Sequence, residues 1–238
     1  MLDLLASDMD VVAYDRRGFG TTSYRAEGHD QVADLVAVLD AVGLDRVVLV
    51  GNSRGGLIAL DATLTHPERV TALVLVAPAV SGAPEVDEST VDPVEAAIWE
   101  TLVSADAAGD LEALNLGEIR LWLDGPHAPE GRVRGALRDL ALDMNQIALR
   151  AESPGYEQGT VDAWPRLAEV HCPALVVAGD LDLAHIRERS RGLVSRIEGA
   201  QLRVMEGTAH LPAFEQPEVF VTLLRQFLNR DVLDRDDR

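Results

Sequence analysis

Six residues, Gly51-Asn52-Ser53-Arg54-Gly55-Gly56, constrain the fold of this chain more than any other stretch. They follow the run Arg46-Val47-Val48-Leu49-Val50 and precede a helical pattern, Leu57-Ile58-Ala59-Leu60-Asp61-Ala62. An apolar run that enters a glycine-flanked serine and leaves as a helix reads as strand, sharp turn, helix. Such a turn holds its serine in a strained backbone conformation with the hydroxyl exposed. Small residues are expected at 51 and 55, because the backbone folds back tightly there. The serine then sits at the carboxyl end of a strand and the amino end of a helix. Free amides and partial positive charge point there, at developing negative charge.

A serine hydroxyl is a poor nucleophile until a base takes its proton, and the base needs a carboxylate to orient it. Two downstream stretches supply these groups. Pro173-Ala174-Leu175-Val176-Val177-Ala178 reads as a buried strand and ends in Gly179-Asp180-Leu181-Asp182, a turn with two carboxylates. Gln201-Leu202-Arg203-Val204-Met205 reads as another strand and ends in Glu206-Gly207-Thr208-Ala209-His210. In a parallel sheet every strand-to-helix loop emerges on one edge, so both ends are expected beside Ser53. Ser53 is the candidate nucleophile and His210 the candidate base. Asp182 and Asp180 both qualify as the acid, and the backbone amide of Arg54 is the candidate oxyanion donor. The plainer readings are a serine in a glycine-rich turn and a surface-loop histidine. The strand–turn–helix context and the order Ser, Asp, His outweigh them.

These features together resemble the α/β-hydrolase fold superfamily, of the esterase and lactonase type. Four stretches carry the resemblance: Asp15-Arg16-Arg17-Gly18-Phe19-Gly20, the turn at 51–56, Gly179 to Asp182, and His210-Leu211-Pro212 followed by Glu215-Gln216-Pro217. In the family pattern the acid lies three residues after the glycine that ends its strand, which selects Asp182. The resemblance implies an α/β fold, a mostly parallel sheet flanked by helices, with an inserted helical cap. It implies cleavage of a small-molecule ester or lactone through an acyl-enzyme on Ser53, with no cofactor and no metal. Family dehalogenases and epoxide hydrolases carry aspartate in place of Ser53, and dienelactone hydrolases carry cysteine. Carbon–carbon bond hydrolases usually carry tryptophan where this chain has Leu211. Esterase and enol-lactonase activities remain, with cofactor-free haloperoxidase chemistry open beside them.

One departure stands out. Family members begin with strands and a His-Gly loop ahead of the Asp-x-Arg-Gly-x-Gly stretch, whereas this chain opens at Met1-Leu2-Asp3-Leu4-Leu5-Ala6-Ser7, which resembles the end of the first helix. The strand expected at 10–14 follows at once. By the resemblance the first three strands are absent, and the third would lie between the strands at 10–14 and 46–50. Burying the side chains of such a strand is worth on the order of 10 kcal/mol. The missing loop also carries one oxyanion donor, whose loss costs roughly 100- to 1000-fold in turnover. The expectation is therefore a shortened reading of a longer gene or a clipped, weakened homologue. The alternative function is a vestigial ligand-binding protein of the same fold.

Composition narrows the partners. Forty acidic residues against 21 arginines, with no lysine, give a net charge of −19. Phosphate backbones and anionic membranes repel such a surface, which excludes nucleic-acid and membrane-surface roles. The single cysteine, Cys172, is expected to be a buried, inert thiol. No charged-then-apolar leader opens the chain, and the longest apolar run, Ala72 to Val80, is far short of the ~18 residues a membrane span needs. The expectation is a cytoplasmic protein. A homodimer formed by pairing of an exposed sheet edge is compatible with either function.

The chain divides into a first core part at 1–80, a helical cap at 81–165 and a second core part at 166–238. Residues 30–42 place Val32, Leu35, Val36 and Leu39 on one helical face, with Asp30 as N-cap and Gly43 as stop. Thr71 to Val76 reads as a fully buried strand. In the cap, Pro93 to Ala105, Leu111 to Leu123 and Gly131 to Arg150 read as helices, with Trp99, Trp122, Met144 and Ile147 on their apolar faces. Packing onto the core is the favoured role of the tryptophans. His66 is expected at a helix end, His171 before a strand, His29 and His127 in loops, and His185 in solvent. The charged tail, 231–238, is expected to fray.

Overall fold

The computed structural model describes residues 2–86, 91–159 and 161–233, with a one-turn helix, α1 (Leu2–Leu5), ahead of the other elements. Four strands make one wholly parallel sheet in the order β1 (Val47–Asn52), β2 (Val70–Val76), β3 (Ala174–Gly179), β4 (Gln201–Met205). The central strands are apolar without interruption from Ala72 to Val76 and from Ala174 to Ala178, because both of their faces are covered. Successive β2 side chains divide between two cores. Leu73 and Leu75 join the cluster under α2 (Gln31–Val42) and α3 (Arg54–Thr65), while Ala72, Val74 and Val76 join Phe220, Val221, Leu224 and Phe227 of the C-terminal helix. Helix α2 starts where Asp30 accepts hydrogen bonds from the Val32 and Ala33 N–H groups, and it stops at Gly43, whose φ of 74° suits glycine.

The strand expected at 10–14 does not form. Residues 10–16 have no regular structure, and Val11 and Val12 are exposed. A strand is stabilised by its hydrogen-bonded neighbour, and β1 has none on its outer edge among the described residues. The following loop is fixed from another side: Arg17 donates to both carboxylate oxygens of Asp34 on α2, at 2.6 and 2.8 Å.

Between β2 and β3 the described residues form helices α4 (Pro93–Ala108), α5 (Leu111–Ile119) and α6 (Ala136–Arg150), with a π-helical turn at Arg120–Asp124. These helices meet the sheet through two small clusters. Leu102, Leu114 and Leu121 pack on Ala77 and on Leu183 and Ile186 at the start of α7 (Ala184–Val194). Ile119, Leu123 and Ala141 pack near Leu211 and Phe214. Trp99, Met144 and Ile147 are exposed, at 37, 58 and 49%. The expected packing onto the core therefore fails for Trp99: its ring meets Trp122 edge-on, 5.8 Å between centroids, and keeps one side open. No described helix is long and apolar enough to cross a membrane. Of the expected charged tail, residues 234–238 lie outside the described residues.

Candidate active site

β1 ends at Asn52 and α3 begins at Arg54, which leaves Ser53 alone in the turn with φ 50° and ψ −114°. For a residue with a side chain this conformation costs on the order of 1–3 kcal/mol and persists only where neighbours over-determine it. They do here. The Ser53 N–H donates to Val76 O at 2.9 Å, and its carbonyl accepts from the N–H groups of Gly56, Leu57 and Ala79 at 2.9, 3.2 and 3.0 Å. The hydroxyl does not cap α3 and makes no hydrogen bond among the described residues. Arg54, first in the helix, has no carbonyl one turn earlier within α3 to receive its N–H. A Cβ at Gly51 would collide with the Gly55 carbonyl, and one at Gly56 would collide with Pro78. One at Gly55 would meet nothing. The need for small residues thus falls on 51 and 56, not on 51 and 55, because Gly55 faces open space in the first turn while Gly56 faces the chain leaving β2.

His210 follows β4 and Asp182 follows β3, and the two side chains meet. His210 Nδ1 lies 2.9 Å from Asp182 Oδ2 and 3.2 Å from Oδ1. Both residues are buried, at 4 and 1% exposure. Asp182 Oδ1 also accepts from the Leu183 N–H at 2.8 Å. A carboxylate only accepts, so the contact selects the tautomer of a neutral imidazole that has its proton on Nδ1 and its lone pair on Nε2. Asp180 is placed differently: its carboxylate accepts from the Gly207 N–H at 2.7 Å and joins the two loops. The Asn52 side-chain amide donates to Val76 O at 3.1 Å and to His210 O at 3.2 Å, tying the residue before Ser53 to the histidine's backbone. All three candidate residues therefore lie on the carboxyl edge of the sheet. No hydrogen bond joins Ser53 to His210 among the described residues.

The helices between β2 and β3 reach this edge. The Trp122 carbonyl accepts from the His210 N–H at 3.1 Å, and its indole lies 4.6 Å from the imidazole between centroids, tilted by 41°. Beyond Trp122, a cleft of about 840 Å³ is bordered by Glu95, Trp99, Val103, Ser104 and His185. His185 is half-buried rather than solvent-exposed as expected, since α4 and α5 pack over the start of α7. Burial, with Arg189 beside it, holds its imidazole below the ordinary histidine range. The buried Glu95 carboxylate accepts from the Ala184 N–H at 3.2 Å, at the amino end of α7. Neither Glu95 nor Trp122 carries a local motif. Only their helical periodicity was readable, and it does not say which loop a helix will meet. No cluster of three His, Cys, Asp or Glu side chains suited to a metal occurs among the described residues.

Comparison with known proteins bears on this geometry. The model of the alpha/beta hydrolase family matches residues 1–223. The chain belongs to the alpha/beta hydrolase family. It is 30% identical to the 2-hydroxy-6-oxo-2,4-heptadienoate hydrolase of Pseudomonas putida, over 92% of this chain and 78% of that one. The structure matches that of the esterase RhEst1 from Rhodococcus sp. ECU1013 with a TM-score of 0.75 at 25% identity, covering 97% of this chain and 84% of that one. It also matches Est816, described as an N-acyl homoserine lactone degrading enzyme, with a TM-score of 0.65 at 29% identity, over 90 and 80% of the two chains.

Proposed function

We propose that this alpha/beta hydrolase is a serine hydrolase that cleaves a carboxylic ester or lactone of a small molecule through an acyl-enzyme on Ser53. The observation that carries the reading is the buried His210–Asp182 pair, bonded at 2.9 Å on the sheet edge where Ser53 is strained. Asp182 holds the proton on Nδ1, which leaves Nε2 to take the Ser53 proton as Oγ attacks the carbonyl carbon. The Arg54 N–H donates to the oxyanion. Protonated His210 then gives its proton to the leaving alcohol. Water, deprotonated by His210, attacks the acyl-enzyme, the acid leaves, and Ser53 regains its proton. Serine–histidine bonds in substrate-free sites are often long and tighten when substrate binds. In this reading the helices over 93–150 act as a cap, and the cleft beside Trp99 receives the apolar part of the substrate. The esterase and lactone-degrading neighbours favour ester bonds.

A non-catalytic ligand-binding protein is the second reading, and the unpartnered Ser53 hydroxyl favours it. A fluorophosphonate probe separates the two, because it labels only an activated serine. The expected result is a label on Ser53, found by peptide mass spectrometry, and turnover within a panel of short and long acyl esters and lactones. Ser53→Ala should abolish the label and lower kcat by roughly 10⁴- to 10⁶-fold with its circular dichroism unchanged. A folded wild-type protein with neither label nor turnover would reject the enzyme and leave the binding reading.

A further inference from the structure

We propose that Arg132, in the inserted segment, is a positioning residue for His210, so that the insertion sets the geometry of the base as well as covering the substrate. The proposal rests on the ester-hydrolase reading above. The Arg132 guanidinium is shared among three segments. Nε donates to Asp124 O at 3.0 Å and Nη2 to Leu123 O at 2.6 Å, both in the π-helical turn. Nη1 donates to Gly207 O at 2.6 Å, three residues before the base. Nη2 also pairs with the carboxylate of Glu215 in the short helix α8 (Pro212–Glu215).

Glu215 carries the contact onward. Its Oε1 accepts from the Ala209 N–H at 2.8 Å, the residue next to His210. The His210 N–H itself donates to Trp122 O in the same π-helical turn. That turn is fixed in place by Asp124, a fully buried carboxylate bonded to Arg138 at 2.9 and 3.0 Å and to the Gly131 N–H at 2.9 Å. Gly207, Ala209 and His210 are therefore all bonded to Arg132, to its partner Glu215 or to the turn that Arg132 holds. The Glu215 side chain is only 3% exposed, and burial lifts its carboxyl above the ordinary glutamate range against the pull of Arg132. Without the guanidinium it would be a buried, uncompensated acid, and it would leave or drag the Ala209 N–H with it.

A clamp that merely stabilises the docking of insertion on sheet makes a different prediction from one that aims the imidazole. The first lowers the melting temperature and leaves the rate per active site unchanged. The second lowers kcat, because a misplacement of about 1 Å near the reacting atoms costs about 100-fold. The test uses the full chain with Arg132→Gln, Arg132→Lys and Glu215→Gln. Arg134→Gln is the control: among the described residues the exposed Arg134 bonds only Gly131 O, at 2.7 Å. With an ester the wild type cleaves, Arg132→Gln should lower kcat by about 10- to 100-fold and change KM by less than about threefold. Arg132→Lys, charged but unable to reach every acceptor, should fall between, and it serves if the Gln variant does not fold. The low-field proton resonance of the His210 Nδ1–H shared with Asp182 should move or broaden in both. That signal needs no turnover, so it decides the positioning claim even if no ester is cleaved, which would defeat the ester reading alone. A wild-type resonance together with wild-type kcat, at whatever melting temperature, would overturn the proposal.

Discussion

Asp182→Asn tests the acid at a single atom. Asp182 Oδ1 accepts from the Leu183 N–H at 2.8 Å, and Oδ2 faces His210 Nδ1 at 2.9 Å. An asparagine has one oxygen, and the buried Leu183 N–H retains it, since a lost bond there costs about 1–3 kcal/mol. Its NH2 then faces Nδ1. Two donors cannot share that contact, so the imidazole proton moves to Nε2, the atom that receives the serine proton in the proposed mechanism. The fold survives and the tautomer is wrong. In hydrolytic triads this exchange costs about 10⁴-fold in kcat, about 5.5 kcal/mol of barrier, with substrate binding retained. The assay is steady-state ester hydrolysis, with the fold checked by circular dichroism. Asp180→Asn is the matched control. Its amide oxygen can still accept from the Gly207 N–H, so its kcat should stay within about threefold of wild type. The acid assignment fails if Asp182→Asn keeps more than about a tenth of wild-type kcat, or if Asp180→Asn is equally damaged.

Three further perturbations read the turn at Ser53, the ring beside His210 and the buried end of α3. Burial lifts the Asp61 carboxyl above the ordinary aspartate range, against the Ser81 hydroxyl that donates to it at 2.8 Å. An acid raised in this way favours the folded state most fully below about pH 4, and that share is lost as pH climbs through the raised folded value. Asp61→Asn still accepts from Ser81 but does not titrate, so its stability relative to wild type should rise between pH 4 and pH 7 in urea melts. A constant difference would refute the assignment. Gly51→Ala drives a methyl group into the Gly55 carbonyl and should cost about 2–4 kcal/mol, read as a lower urea midpoint; an unchanged midpoint would mean that the turn relaxes freely. Trp122→Ala removes the ring beside the imidazole and should destabilise by about 1–3 kcal/mol, with Trp122→Phe retaining more. Equal midpoints in the two variants would show that the ring's packing contributes nothing.

The two central strands were legible because an unbroken apolar run can be satisfied only between two covered faces, as in Leu73 to Val76 and Leu175 to Val177. Val11-Val12-Ala13-Tyr14 has the same local character, yet it forms no strand. Pairing is a property of two segments, and no composition window reports the second. The candidate site was legible for a related reason. Ser53, Asp182 and His210 each follow a glycine-marked or apolar strand, and parallel strands end on one edge, so three local signals add up to one place.

What surrounds those residues follows a different logic. Periodicity identified the apolar faces of α4 and α6 but said nothing about coverage, and Trp99, Met144 and Ile147 remain half open. The contacts of the base loop are harder still. Arg132, Glu215 and Trp122 act on His210 from 78, 5 and 88 residues away along the chain, and all three do so through backbone carbonyl or amide groups that every residue possesses. A motif can encode which side chain does chemistry. It cannot encode which carbonyl an arginine will find, because that depends on how a separate run of helices settles on the loop. The distinction explains why the candidate nucleophile, base and acid stand out in the chain, whereas the residues proposed to aim the base emerge only from the folded arrangement.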